Sequence, residues 1–125
     1  MKISVIGQGF VGLSLSVVLA SKNFPVFAIE KNQKKLEMLK EGKIPFYEPE
    51  INLFLSKAIK KKKISFHKVI SDIEDEVEFI FVAVPTPTKN GKIDSQFLKS
   101  AIKEAMITIN KNAKKTMLII KSTIA

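Results

Sequence analysis

The sequence predicts an α/β fold, a doubly wound parallel sheet of five strands with flanking helices, and three observations carry that expectation. Short apolar runs rich in β-branched residues recur along the 125-residue chain, at 2–6, 26–29, 64–66, 79–84 and 116–120. Runs of this kind suit strands buried on both faces. Segments with apolar residues three and four apart separate them, so strand and helix alternate, and that alternation winds a parallel sheet right-handedly with helices on both faces. A glycine-rich stretch, Gly7-Gln8-Gly9-Phe10-Val11-Gly12, stands between the first strand and the first helix.

Taken in order, the first strand (2–6) enters that glycine turn, and a helix follows over 11–20 with Leu13, Val17 and Ala20 at helical spacing. Gly7 permits the tight turn, Gly9 lets the backbone approach a pyrophosphate, and Gly12 lets the helix pack closely on the strand. The second strand ends in Glu30, about 20 residues past the glycines, where a dinucleotide-binding fold places the carboxylate that accepts from the adenosine ribose hydroxyls. Strand, glycine turn, helix, strand and acid in this register predict a dinucleotide site. Its phosphates would rest on the free N–H groups of the helix N-terminus.

Asn32 caps the next helix, which runs to about residue 41 with Leu36 and Leu39 inward and Gly42 ending it. Residues 44–49 read as a rigid packed connector that includes Tyr47-Glu48-Pro49, and Pro49 suits the first turn of a helix over 50–61. Ile51, Phe54, Leu55, Ala58 and Ile59 share one face of that helix. His67, the single histidine, closes a short edge strand and is expected to stand outside the site. Ser71 or Asp72 begins an acidic one-turn helix. The most hydrophobic run, 79–84, is a central strand that stops at Pro85-Thr86-Pro87-Thr88, a loop whose two flanking prolines fix it at the ligand. Asn90-Gly91 is a turn signal. Asp94 caps a long helix to about residue 110, with Phe97, Leu98, Ala101, Ile102, Ala105, Met106 and Ile109 at inner spacing. The fifth strand leads into Lys121-Ser122-Thr123. Ligands of such a sheet bind beyond the carboxyl ends of its strands, so the loops at 7–12, 85–88 and 121–123 should converge on one crevice.

Length supports one domain with a real core, and no apolar run is long enough to cross a bilayer. The chain opens directly on a strand, which is not a signal peptide pattern. There is no cysteine, hence no disulfide, thiolate metal site or cysteine nucleophile within these residues, and cysteine-free composition fits a cytoplasmic protein. The net charge of +9 rests on 21 basic residues that are all lysine. Base and phosphate recognition favours arginine, so a nucleic-acid partner is not expected. Lys60-Lys61-Lys62-Lys63 reads as the solvated end of a helix, where cations complement the dipole.

Several stretches together resemble the UDP-glucose/GDP-mannose dehydrogenase family, specifically its N-terminal NAD-binding domain. They are Gly-Gln-Gly-Phe-Val-Gly-Leu at 7–13, Glu30, Gly-Lys-Ile-Pro-Phe-Tyr-Glu-Pro at 42–49, Ala-Val-Pro-Thr-Pro-Thr at 83–88 and Lys-Ser-Thr at 121–123, in the family's order. The resemblance implies a Rossmann-like domain over 1–125 and NAD as cofactor. It also implies an enzyme that oxidises the C6 hydroxymethyl group of a nucleotide sugar to the acid with two NAD, in the cytoplasm and with no membrane partner. Val-Pro-Thr-Pro leans toward UDP-sugars, of glucose or N-acetylhexosamine type. Residue by residue, the resemblance places Gly7, Gln8, Gly9, Phe10, Val11 and Gly12 on the pyrophosphate, and Glu30 with Lys35 at the adenosine. Val84, Pro85, Thr86 and Thr88 would line the ribose and nicotinamide region. Ser122 and Thr123 would reach the nicotinamide end, Thr123 with a part in positioning water or a substrate hydroxyl; no metal is implied.

Phe10 stands where the family usually has tyrosine, and Glu30 where aspartate is commoner; either acid disfavours a 2′-phosphate by charge, so NAD over NADP is expected. The family continues past the equivalent of Ala125 into a dimerising helix and a sugar-binding domain that carry its cysteine, lysine and asparagine. The expectation is therefore an inactive cofactor-binding fragment of a homo-oligomeric enzyme. Two other readings stand beside it. One is a dehydrogenase of 6-phosphogluconate or hydroxyacyl-CoA type, against which Tyr-Glu-Pro and Val-Pro-Thr-Pro speak. The other is a stand-alone nucleotide sensor without catalysis.

Overall fold

The computed structural model describes residues 1–112 and 115–122. In chain order the elements are β1 (Ile3–Ile6), α1 (Phe10–Ser21), β2 (Val26–Ile29), α2 (Gln33–Lys40), α3 (Pro49–Lys60), β3 (Ile64–His67), a 3-10 turn (Ile70–Asp72), β4 (Phe79–Val82), β5 (Thr88–Lys89), β6 (Lys92–Ile93), α4 (Gln96–Lys111) and β7 (Met117–Ile120). Five of the strands form one sheet in the order β3-β2-β1-β4-β7, and every pairing in it is parallel. This is the expected Rossmann-like, doubly wound sheet.

Its two faces carry different cores. Ile3 and Val5 of β1 pack with Leu13, Val17 and Ala20 of α1, Leu36 and Leu39 of α2, and Ile51, Leu55 and Ala58 of α3. One residue on, Ile6 points the other way, as the two-residue period of a strand requires. It joins Ile29, Ile80 and Val82 with Leu98, Ala101 and Ala105 of α4. Three helices therefore cover one face and α4 the other.

Several elements depart from the sequence reading. The one-turn helix starts at Ile70 and ends at Asp72; Ile70 is driven inward as a core residue at 2% exposure, which anchors the turn earlier than its acids suggest. The long helix begins at Gln96 with Ser95 as N-cap, and Asp94 acts one residue further out, its Oδ1 accepting from the Gln96 N–H at 3.0 Å. The last strand likewise starts at Met117. β5 and β6 pair as a small antiparallel hairpin around Asn90-Gly91, an addition to the expected turn. The connector is packed only in part: Ile44 and Phe46 lean on the core, but Tyr47 is 93% exposed. Phe54, Phe97 and Met106, expected inward, are exposed as well.

Candidate functional site

The crevice lies where the chain reverses its direction of growth across the sheet. From β1 the strands step outward to β2 and β3; the chain then returns to lay β4 on the other side of β1. Loops leaving β1 and β4 diverge there, and that is where an open α/β sheet has room for a ligand. The hydrogen-bond ladder continues one residue beyond the strands. Gly7 N–H donates to the Ile29 carbonyl at 2.8 Å, Glu30 N–H to His67 at 2.9 Å, Ala83 N–H to Ile6 at 2.8 Å and Lys121 N–H to Val82 at 2.7 Å. Gly7, Glu30, Ala83 and Lys121 are thus set by the sheet itself.

The glycine turn is built by close approach. Gly7 has φ +96°, and a Cβ there would lie 2.9 Å from the Ala83 backbone. A Cβ on Gly12 would lie 1.7 Å from the Gly7 carbonyl oxygen. Gly12 is accordingly buried and supports the turn from beneath. Nothing lies within 4 Å of a Cβ on Gly9, so its backbone faces open space. Gln8 borders the cavity but is fully buried. Its Nε2 donates to the Val5 carbonyl at 2.9 Å, and its Oε1 accepts from the Ser16 hydroxyl at 3.1 Å. The Gln8 side chain thus holds the loop to the fold, while the residue keeps its expected place at the cavity.

Glu30 is 8% exposed. Its Oε1 accepts from the Gln8 N–H at 3.2 Å and its Oε2 from the Asn32 N–H at 2.9 Å. The Lys35 ammonium stands 3.3 Å from Oε1. Two backbone donors and one cation orient this carboxylate, and its remaining lone pairs are the ones a ligand hydroxyl could use.

A cavity of about 720 Å³ opens over this edge. Of the residues expected at the site, Gly7, Gln8, Gly9, Phe10, Val11, Glu30, Lys35, Val84, Pro85, Thr86 and Ser122 border it. The Ser122 hydroxyl donates to the Val84 carbonyl at 2.7 Å, so it pins the loop after β4 from the side of β7. Thr88 is a correction: it opens the hairpin as an exposed residue of β5 and is not part of the lining. The chain needs Pro85-Thr86-Pro87 to clear the sheet edge before it can pair again, which carries Thr88 away. Thr123 lies outside the described residues.

Lys31, Asn32, Lys68, Phe97, Ala101, Glu104 and Lys121 also border the cavity. Lys68 and Lys121 sit directly past a strand and Lys31 two residues past one, so all three were readable from register once strand ends were known. Phe97 and Glu104 had no such signal, since α4 presents apolar residues over more of its surface than its core face uses. His67 stands at the end of β3, its Nε2 2.8 Å from the Ser65 hydroxyl, and burial, then the nearby Lys40 ammonium, push its pKa below the ordinary value. It does not border the cavity.

The decisive contrast is electrostatic. The first turn of α1 has no acidic residue, and Gly9 at its N-cap offers no side chain to its N–H groups. The first N–H groups of any helix lack intrahelical partners and carry partial positive charge. Here they open beside a residue with no Cβ, at the floor of the cavity. That arrangement fits a pyrophosphate.

Known proteins resemble the chain in sequence and fold. Over 104 residues the chain is 42% identical to the putative UDP-glucose 6-dehydrogenase YtcA of Bacillus subtilis, covering 82% of this chain and 23% of that protein. Over 125 residues it is 28% identical to the UDP-glucose 6-dehydrogenase of Rickettsia felis, covering 99% of this chain and 27% of the relative. The fold matches that of the GDP-mannose dehydrogenase of Pseudomonas aeruginosa with a TM-score of 0.92 at 23% identity, covering 99% of this chain and 29% of that one. The chain thus spans about a quarter of the length of these relatives. Residues 1–125 match the model of the UDP-glucose/GDP-mannose dehydrogenase family, NAD binding domain. By that match the chain belongs to the UDP-glucose/GDP-mannose dehydrogenase family, as its NAD-binding domain.

Proposed function

We propose that the cavity above β1, β2 and β4 is the NAD site, and that these residues serve oxidation of a UDP-sugar, of glucose or N-acetylhexosamine type, to the uronic acid. The observation that carries the reading is the open N-terminus of α1 at the switch point, next to a glycine with free space in front of it. NAD supplies a hydride acceptor when bound. The chain's own part is to bind and orient. The first N–H groups of α1 take the pyrophosphate, and Glu30 accepts from the adenosine ribose hydroxyls, with Lys35 beside it. Val84, Pro85 and Thr86, pinned by Ser122, bound the path toward the nicotinamide. Thr123, next in sequence, is proposed at that end.

Taking an alcohol to an acid in two oxidations calls for a nucleophile that holds the intermediate aldehyde, and these residues contain no cysteine. The nucleophile, the sugar-binding surface and the oligomer contacts belong, in this proposal, to a longer protein acting in the cytoplasm. No helix among the described residues is long and apolar enough to cross a membrane.

Calorimetric titration tests the cofactor reading. NAD should bind the 125-residue chain, and NADP more weakly because of Glu30, although Lys35 offsets part of that repulsion. In the same preparation, UDP-glucose with NAD should yield no NADH by absorbance. Equal or reversed affinities would remove Glu30 as the discriminating residue. Steady NADH production would refute a purely cofactor-binding role.

A further inference from the structure

We infer that Gln8 and Ser16 form a buried positioning pair, which fixes how far the open start of α1 stands from Glu30 and so sets the affinity for a ligand that must reach both. The inference rests on the NAD site proposed above; neither side chain needs to touch the cofactor.

A G-x-G-x-x-G turn demands only its glycines, so its backbone does not ask for any particular residue at position 8. Glutamine is a long polar side chain of a type that mostly stays at the surface, yet Gln8 is 0% exposed. Ser16, in the second turn of α1, is equally buried. Burying an amide and a hydroxyl is costly unless hydrogen bonds replace the lost water, and here they do. The Gln8 Nε2 donates to the Val5 carbonyl at 2.9 Å. The Ser16 hydroxyl shares its one proton between Gln8 Oε1 at 3.1 Å and the Gly12 carbonyl at 2.8 Å. Two apolar side chains could fill the same volume. A hydrogen-bonded pair fills it in one geometry.

What the pair fixes follows from the backbone of Gln8. Its N–H donates to Glu30 Oε1 at 3.2 Å, while its side chain is held to β1 through Val5 and to α1 through Ser16. One residue therefore joins the strand that feeds the turn, the helix whose first N–H groups face the cavity, and the acid past the end of β2. Gly7 and Gly12 set the shape of the turn. The Gln8–Ser16 link sets its height over β1, and with it the place of the N–H that orients Glu30. Groups that lock a binding residue from behind govern how well separate contacts can be made at once. A ligand with its phosphate at α1 and its ribose at Glu30 feels a change in that spacing; a ligand that uses Glu30 alone does not.

Gln8→Leu keeps most of the volume and removes the amide. The 125-residue variant should bind NAD and ADP-ribose about tenfold more weakly, the effect of one lost orienting hydrogen bond. Adenosine, which reaches Glu30 without a phosphate, should bind as it does to the parent. The melting temperature should fall by only a few degrees, because the Ser16 hydroxyl still has the Gly12 carbonyl. Ser16→Ala breaks the same link from the side of α1, covers the case in which Gln8→Leu folds poorly, and should show the same split between ligands. The double variant should lose no more NAD affinity than Gln8→Leu alone, since the two side chains act as one unit. Unchanged NAD affinity in the folded single variants, additive losses in the double variant, or an equal loss for adenosine would overturn the positioning role while leaving the NAD site standing. A parent chain that binds no NAD would overturn the site itself and this inference with it.

Discussion

Helices α1 and α3 begin in opposite ways, although the same dipole acts at both. At α3, Pro49 occupies the first turn, Glu50 adds an acid, and Glu48 accepts from the Glu50 N–H at 3.2 Å. At α2, Asn32 accepts from the Lys35 N–H at 2.9 Å, and at α4 Asp94 closes the first turn. Each of these helices has a side chain on one of its first N–H groups. α1 has glycine at the N-cap and no acid in its first turn. A helix start that carries a side-chain acceptor is partly satisfied by its own chain, whereas a bare one that faces a cavity leaves its donors for an anion. The difference separates scaffold from site within one small domain.

The comparison breaks most completely at Gly12. A Cβ 1.7 Å from the Gly7 carbonyl cannot be absorbed without moving the turn, so Gly12→Ala should cost about 3 kcal/mol or more, the upper range for overpacking. Denaturant unfolding checks this, and NAD binding should be lost with it. Wild-type stability would mean that α1 can shift away from the turn.

Gly9→Asp sharpens the contrast by giving α1 the kind of cap the other helices have. Open space in front of Gly9 accepts the side chain. Stability should hold or rise by a few tenths of a kcal/mol, since aspartate exceeds glycine slightly as an N-cap. NAD affinity should fall by about a hundredfold, because a fixed carboxylate then occupies and repels the anion position. Titration and thermal melting on the same sample separate the two effects. Unimpaired NAD binding would show that the phosphates rest elsewhere.

Glu48→Ala is the smallest change and the control. It uncaps α3, which lies away from the cavity, and should cost about 0.5 kcal/mol with NAD affinity unaltered. A loss of NAD affinity there would mean that the two helix ends are not independent.

Much of this architecture was readable from residues. β1, α1, β2 and Glu30 announced themselves because each spacing has one dominant physical cause: buried parallel strands need apolar runs, and a tight strand-to-helix turn needs glycine at Gly7. Gly12 was readable as a packing position, though its partner is the Gly7 carbonyl as well as the sheet. What escaped depends on tertiary context. Phe97 and Met106 recur at helical spacing with Leu98 and Ala105, and spacing alone does not say that a helix lying on one sheet face has room to bury only part of an apolar arc. Tyr47 belongs to an aromatic stretch in which only Phe46 finds a partner, its ring 5.8 Å from that of Phe10. Gln8 was read by its place in the motif, which does not show that its side chain is tied to Val5 and Ser16 beneath the loop. Thr88 was carried along by its neighbours until the hairpin took it elsewhere.

The switch point also governs when the site can exist during folding. Its two walls belong to β1 and β4, and the first contact between their flanks joins Lys2 to Glu78 across 76 residues. Helices α1 to α3 and the strands between them can form through nearer contacts, with short loops to close. By topology the crevice should wait for the long-range pairing, the step that carries the greatest loop-closure entropy, and folding rates of β1–β4 variants would check that order. Phosphate, ribose and base contacts therefore have no common frame until the last half of the sheet docks on the first, and a bound dinucleotide, touching both, would act as a clasp on the completed chain.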